Sequence, residues 1–167
     1  MKKALLTLST LAVAALSLNA CAISELKPEP VPLKAADMAH FTVDNSAIAD
    51  QFSVCGEKVK DFKATLRNGF NYAAHHGDNA SVVSAEKAQS LLNIRSLDMS
   101  CIGQDKLKGY LITGKAEISW KIDNGAETIY PITVIGASEK SVEKALDALV
   151  GQLYNAAFST YLTAHAQ

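Results

Sequence analysis

Neither sign of charge dominates this sequence. Its 167 residues hold 16 lysines and arginines against 17 aspartates and glutamates. No basic stripe is left over to follow a phosphate backbone or an anionic bilayer, which excludes nucleic acid as a partner. Motifs that carry chemistry are also missing. There is no GxSxG, no HExxH and no paired-carboxylate setting, so no reaction mechanism is written into the chain. Cysteine is scarce, at three residues, and no CxxC or Cys/His spacing sets up a metal site. No motif asks for a cofactor. The apolar run 4–18 is shorter than the about 20 residues a membrane-spanning helix needs. Proline is rare as well, with four residues, and three of them (Pro28, Pro30 and Pro32) fall within five positions.

What is present begins at the amino terminus. Lys2 and Lys3 precede the uncharged run 4–18, a secretory signal in length and flanks. The run ends in Leu18-Asn19-Ala20-Cys21. This stretch resembles the lipobox of bacterial lipoproteins. The resemblance implies cleavage before Cys21, with acylation of its thiol and of the new amine. Ordinary cleavage on the Ala20-Cys21-Ala22 pattern is the alternative, and it would discard Cys21. Several acyl chains at ~0.8 kcal/mol per buried CH₂ make an anchor that does not leave the bilayer. Ala22 stands where a Gram-negative lipoprotein retained in the inner membrane tends to carry Asp. The resemblance therefore implies the outer membrane, facing the periplasm. The expected organisation is a signal peptide over 1–20, the lipidated cysteine and a proline-rich linker over 21–36, and a single domain over 37–167. The alternation of prolines with Glu29 and Val31 favours extended polyproline II. Once the signal and its two lysines are gone, the net charge is −3.

Cys55 and Cys101 then remain in an oxidising compartment, where a disulfide persists. A buried pair of free thiols and a metal or redox site are the rival readings.

Within the domain, alternation predicts a first strand over 38–44, with a connection to Ser53 as helix N-cap. Apolar residues at 55, 59, 62, 66, 70 and 73 predict an amphipathic helix over 54–75 with Cys55 on its buried face. Gly77 is its expected C′ residue, and His75 and His76 suit the last turn. Val82-Val83 reads as a short strand, and 84–91 is open between a helical turn and strand. Over 92–102 the alternation puts Leu97, Met99 and Cys101 on one face, once a bulge near Arg95 is allowed. A turn is expected over 103–105. The clearest strand is 107–122, with Ile112, Gly114, Ala116, Ile118, Trp120 and Ile122 on one face. Asn124-Gly125 signals a type I′ hairpin turn. The strand returns over 128–137 with Tyr130, Ile132 and Val134 inward. Pro131 cannot donate to a ladder, which marks an edge or a bulge. Ser138 is the expected cap of a final helix with Val142, Leu146, Leu149, Leu153, Ala157 and Tyr161 as its buried stripe.

These elements compose an α+β fold, with two helices packed on one face of a mainly antiparallel sheet of about four strands. The run 114–121 (Gly-Lys-Ala-Glu-Ile-Ser-Trp-Lys), the Asn124-Gly125 turn, the returning strand and the last helix resemble YajG-type lipoproteins. More loosely they resemble the lipopolysaccharide-assembly lipoprotein and the auxiliary lipoproteins of envelope ABC transporters. The resemblance implies an anchored, non-enzymatic accessory protein with an envelope protein as partner. The expected docking edge is the returning strand, at Thr128, Pro131, Thr133 and Ile135. A carrier of a small apolar or lipid ligand is the alternative, with Trp120 and Tyr130 lining a cavity or filling the core. An envelope hydrolase has thinner support. His40 and His165 read as ordinary solvated residues.

Overall fold

The computed structural model describes residues 39–76, 80–105, 109–122 and 127–165. The expected signal peptide, Cys21 and the expected linker lie outside the described residues. So do Gly77 and the Asn124-Gly125 turn.

Among the described residues, seven strands and two helices follow in the order β1 (Ala39–Asp44), β2 (Phe52–Val54), β3 (Glu57–Val59), α1 (Phe62–His76), β4 (Ala80–Val82), β5 (Ser90–Asp105), β6 (Gly109–Ile122), β7 (Thr128–Ser138) and α2 (Val142–His165). The main sheet has five strands in the order β4-β1-β5-β6-β7, and β2 and β3 form a separate two-stranded ribbon. The expectation of a mainly antiparallel sheet of about four strands is therefore corrected. β1 sits inside the sheet, parallel to both β4 and β5. Parallel neighbours need a crossover, and α1 supplies the one from β1 to β4. The return from β4 to β5 is a short segment bonded to β1 at both ends, with Val83 N donating to Phe41 O and Gln89 N to His40 O. The other half is antiparallel, with β5, β6 and β7 pairing in sequence.

The first helix starts later than its spacing suggests. Val54 and Glu57 pair across a two-residue turn, Cys55-Gly56, and both turn residues have positive φ, 51° and 78°. That is the type I′ geometry of a tight hairpin. Cys55 is buried because the ribbon lies on the core, not because it rides a helix. Asp50 rather than Ser53 caps α1. Its carbonyl accepts from Phe62 N at 3.1 Å and its carboxylate from Lys63 N at 2.9 Å, satisfying two donors that a helix start leaves open. At the other end, His76 Nδ1 donates to the Tyr72 carbonyl at 2.8 Å.

The long strands follow the expected faces. β5 shifts register between Ile94 and Ser96, which places a bulge at Arg95, and again between Cys101 and Gly103. The turn expected over 103–105 is instead the end of β5, with Gln104 and Asp105 paired to Tyr110 and Gly109. Ile112, Ala116, Ile118 and Trp120 of β6 are buried. α2 packs over β6 and β7, and Val142, Leu146, Leu149, Leu153, Ala157 and Tyr161 are all buried. Its cap is Ser141, whose Oγ accepts from Lys144 N at 3.1 Å. Ser138 Oγ accepts from Lys140 N and holds the turn before it. α1 packs on α2 where Gly69 leaves room for Val150 and Phe70 meets Tyr154 edge-on at 5.4 Å.

Candidate functional site

β7 ends the sheet on one side. Eleven consecutive pairs tie it to β6, from Trp120↔Thr128 to Tyr110↔Ser138, with no shift. The ladder passes Pro131 unbroken, which a proline allows where its nitrogen lies on the open side of an edge strand. Of the two readings Pro131 leaves open, edge or bulge, the structure shows the edge. The alternation then divides the strand. Val134 and Gly136 are buried beneath α2, while Ile129, Pro131, Thr133 and Ile135 are exposed on the other face. Ile129 and Ile135 keep 48% and 43% of their surface in solvent. Their neighbours on β6 are Ser119 and Thr113, with Lys115 and Glu117 between them. The open strand thus offers two apolar side chains three residues either side of Ile132, on a polar face.

A polar cluster borders this face at the β6–β7 end. Ser119 Oγ donates to Glu127 Oε1, and Arg95 lies 3.7 Å from the same carboxylate oxygen. The Ser119 hydroxyl is the main reason that the Glu127 carboxyl sits below the usual glutamate range. Desolvation opposes it, and Arg95, Asn93 and Lys121 assist.

The other residues singled out in the sequence fall as follows. Cys55 and Cys101 form a disulfide with Cα atoms 5.1 Å apart, so the free-thiol and metal readings give way. The bond fastens the β2–β3 ribbon to the far half of β5. Trp120 is core. Its Nε1 donates to Ala157 O and Thr160 Oγ1, both at 3.0 Å, and its ring packs against Phe41 and Tyr161 at 5.5 and 4.8 Å. Tyr130 is half-buried against the same core. The His40 ring is not simply solvated, since its Nδ1 shares a 2.8 Å hydrogen bond with Ser81 Oγ that links β1 to β4. The side chain of His165 lies outside the described residues. Among those residues, no three His, Cys, Asp or Glu side chains are grouped to hold a metal ion, and no helix is long and apolar enough to cross a membrane.

One feature has no signal in the sequence. A cleft of about 310 Å³ opens where the carboxyl ends of β1 and β4 meet α1. It is lined by Thr42, Val43, Arg67, Asn71, Val82, Val83 and Ser84. Arg67 and Asn71 are polar positions one turn apart beside the buried Leu66 and Phe70. Only the β1–α1–β4 crossover brings them to the two strand ends.

No family model and no curated protein matches the chain. Among solved structures, a DUF330 protein from Xanthomonas campestris has a TM-score of 0.46 at 13% identity, over 86% of this chain and 95% of its own. A PelC dodecamer from Paraburkholderia phytofirmans gives 0.43 at 13%, over 77% and 93%. Rare lipoprotein B from Shewanella oneidensis gives 0.32 at 13%, over 76% and 93%. No YajG-type protein is among these three. With every score below 0.5, the functional reading rests on this chain's own residues.

Proposed function

We propose that this chain is a non-enzymatic envelope lipoprotein, anchored through acylated Cys21, that docks a protein partner along β7. The anchor is read from the basic start, the apolar run and the Leu-Asn-Ala-Cys end. An outer-membrane, periplasm-facing location is read from Ala22. The docking reading is carried by one observation: an eleven-residue edge strand exposes Ile129 and Ile135 while its other side is fixed by β6 and α2. Open strand edges attract pairing unless they are blunted, and strand addition is a common mode of recognition. Pro131 removes one donor from the open side and so restricts which strands fit. The carrier reading loses its main support at Trp120, whose surroundings are filled by Phe41, Phe158 and Tyr161.

Two measurements test the proposal. Mass spectrometry of the membrane form should find a lipid-modified Cys21 at the amino terminus. A mature chain that begins after Cys21 refutes the anchor. Photo-crosslinkers placed at Ile129 and Ile135 should capture one partner that a crosslinker on the exposed Glu143 of α2 does not. Thr133→Lys should reduce that capture several-fold and leave thermal stability nearly unchanged, because Thr133 is exposed. Equal capture from β7 and α2, or capture indifferent to Thr133→Lys, refutes docking at this edge.

A further inference from the structure

The cleft beside α1 lies at the opposite edge of the sheet from β7 and has a chemistry of its own. Its walls combine three valines with four polar side chains. The hydroxyls of Thr42 and Ser84, the Asn71 amide and the Arg67 guanidinium form no hydrogen bond or ion pair with other side chains or backbone among the described residues. The lining holds one cation and no carboxylate. Its place is also informative. β1 and β4 are parallel strands joined through α1, so both strand ends and one side of the helix meet at this cleft. The volume is at the lower bound for ligand clefts, which suits a small molecule.

We infer that this cleft binds a small carboxylate with a branched aliphatic body. The guanidinium fork of Arg67 matches a carboxylate in two parallel hydrogen bonds. Asn71, one helical turn away, adds an amide donor, and the Thr42 and Ser84 hydroxyls close the polar side. Val43, Val82 and Val83 supply an apolar wall for a short branched chain. A bare inorganic anion would leave that wall in contact with water, and a neutral aliphatic molecule would leave Arg67 without its partner.

The test uses the full chain in detergent micelles, read by NMR of valine methyls and backbone amides. The probes are isovalerate, its neutral amide isovaleramide and inorganic phosphate. Isovalerate should give saturable shifts at Val43, Val82 and Val83. Isovaleramide and phosphate should each bind at least tenfold more weakly, a difference of ~1.4 kcal/mol or more. Arg67→Gln should weaken isovalerate at least tenfold and leave isovaleramide binding and the melting temperature unchanged, since Arg67 is exposed and unpaired. The absence of saturable shifts with isovalerate overturns the inference. So does equal binding of acid and amide, equal binding of phosphate, or an Arg67→Gln chain that binds isovalerate as before.

Discussion

Replacing Gly136 with alanine should be among the most damaging single-methyl changes in the domain. A Cβ there would fall 2.0 Å from the carbonyl oxygen of Ala145, 2.6 Å from Leu149 Cβ and 2.8 Å from Leu149 N. Two of these three atoms are backbone of α2, so no rotamer change relieves the contact. The helix must lift from β7 by about 1 Å, and it carries the buried stripe of Leu146, Leu149 and Leu153 with it. Overpacking of a core costs about 1–3 kcal/mol where side chains can adjust. With backbone in the way, Gly136→Ala should cost at least ~3 kcal/mol. Gly114→Ala is the matched control on the neighbouring strand. The atoms nearest its Cβ would be the tips of Leu97, Val134 and Leu149, at 3.2–3.3 Å. The strain is partly offset by the ~0.4–1 kcal/mol gained when the unfolded chain loses glycine's freedom. The net change should stay within ~1 kcal/mol. Urea unfolding of the oxidised chains, fitted with a common slope, measures both values. At roughly 2–8 °C per kcal/mol for domains near this size, Gly136→Ala should melt at least ~6 °C below the parent. If the two variants unfold at the same urea concentration, the close seating of α2 on β7 is wrong.

Two further outcomes are expected. Reducing the Cys55–Cys101 bond, or replacing both residues with serine, should cost up to ~4 kcal/mol. That is the chain-entropy value for the 46-residue separation. Unfolding with and without reductant measures it, and free thiols found in unreduced, unfolded protein would count against the bond. Ser119→Ala should raise the Glu127 titration midpoint towards the ordinary ~4.3, as followed by carboxyl NMR. The folded-state pKa is depressed, so the stabilisation is full above the unfolded value and is lost as pH falls through the folded one. The variant should therefore lose stability less steeply between those two points. An unmoved midpoint would show that Ser119 does not hold the carboxylate.

Long strands with strict alternation are legible in the amino-acid sequence alone. The inward set of β6, the bulge at Arg95 and the stripe of α2 follow from side-chain period, because one face of each element is covered and the other is not, while Pro131 narrows its strand to an edge or a bulge through its missing donor. The parallel half is not legible. β4 is three residues long, too short to show any period, and nothing local distinguishes a parallel partner from an antiparallel one. The β2–β3 ribbon is hidden by coincidence. Cys55 and Val59 fall on a helical spacing with Phe62 and Leu66, and the turn uses Cys-Gly where Asn-Gly or Asp-Gly would announce it. The disulfide is legible from the cysteine count and the compartment that the amino-terminal stretch leads one to expect, although Cys55 reaches Cys101 from a turn rather than from a helix face. The cleft at Arg67 is invisible, because it exists only where two parallel strand ends meet a helix that the apolar spacing starts eight residues too early.

The position of β1 has a mechanical consequence. The chain enters the sheet at Ala39 as a strand held on both sides, by β4 and by β5. A pull on the residues ahead of it runs along β1, across the direction of its ladder bonds, so those bonds share the load and must yield together. A pull on the end of α2 meets a helix held by side-chain packing rather than by a ladder, so its contacts give way one turn at a time. A tether at the amino terminus therefore loads the domain through its stiffer grip, and stretching experiments from the two ends should record a higher rupture force through residue 39.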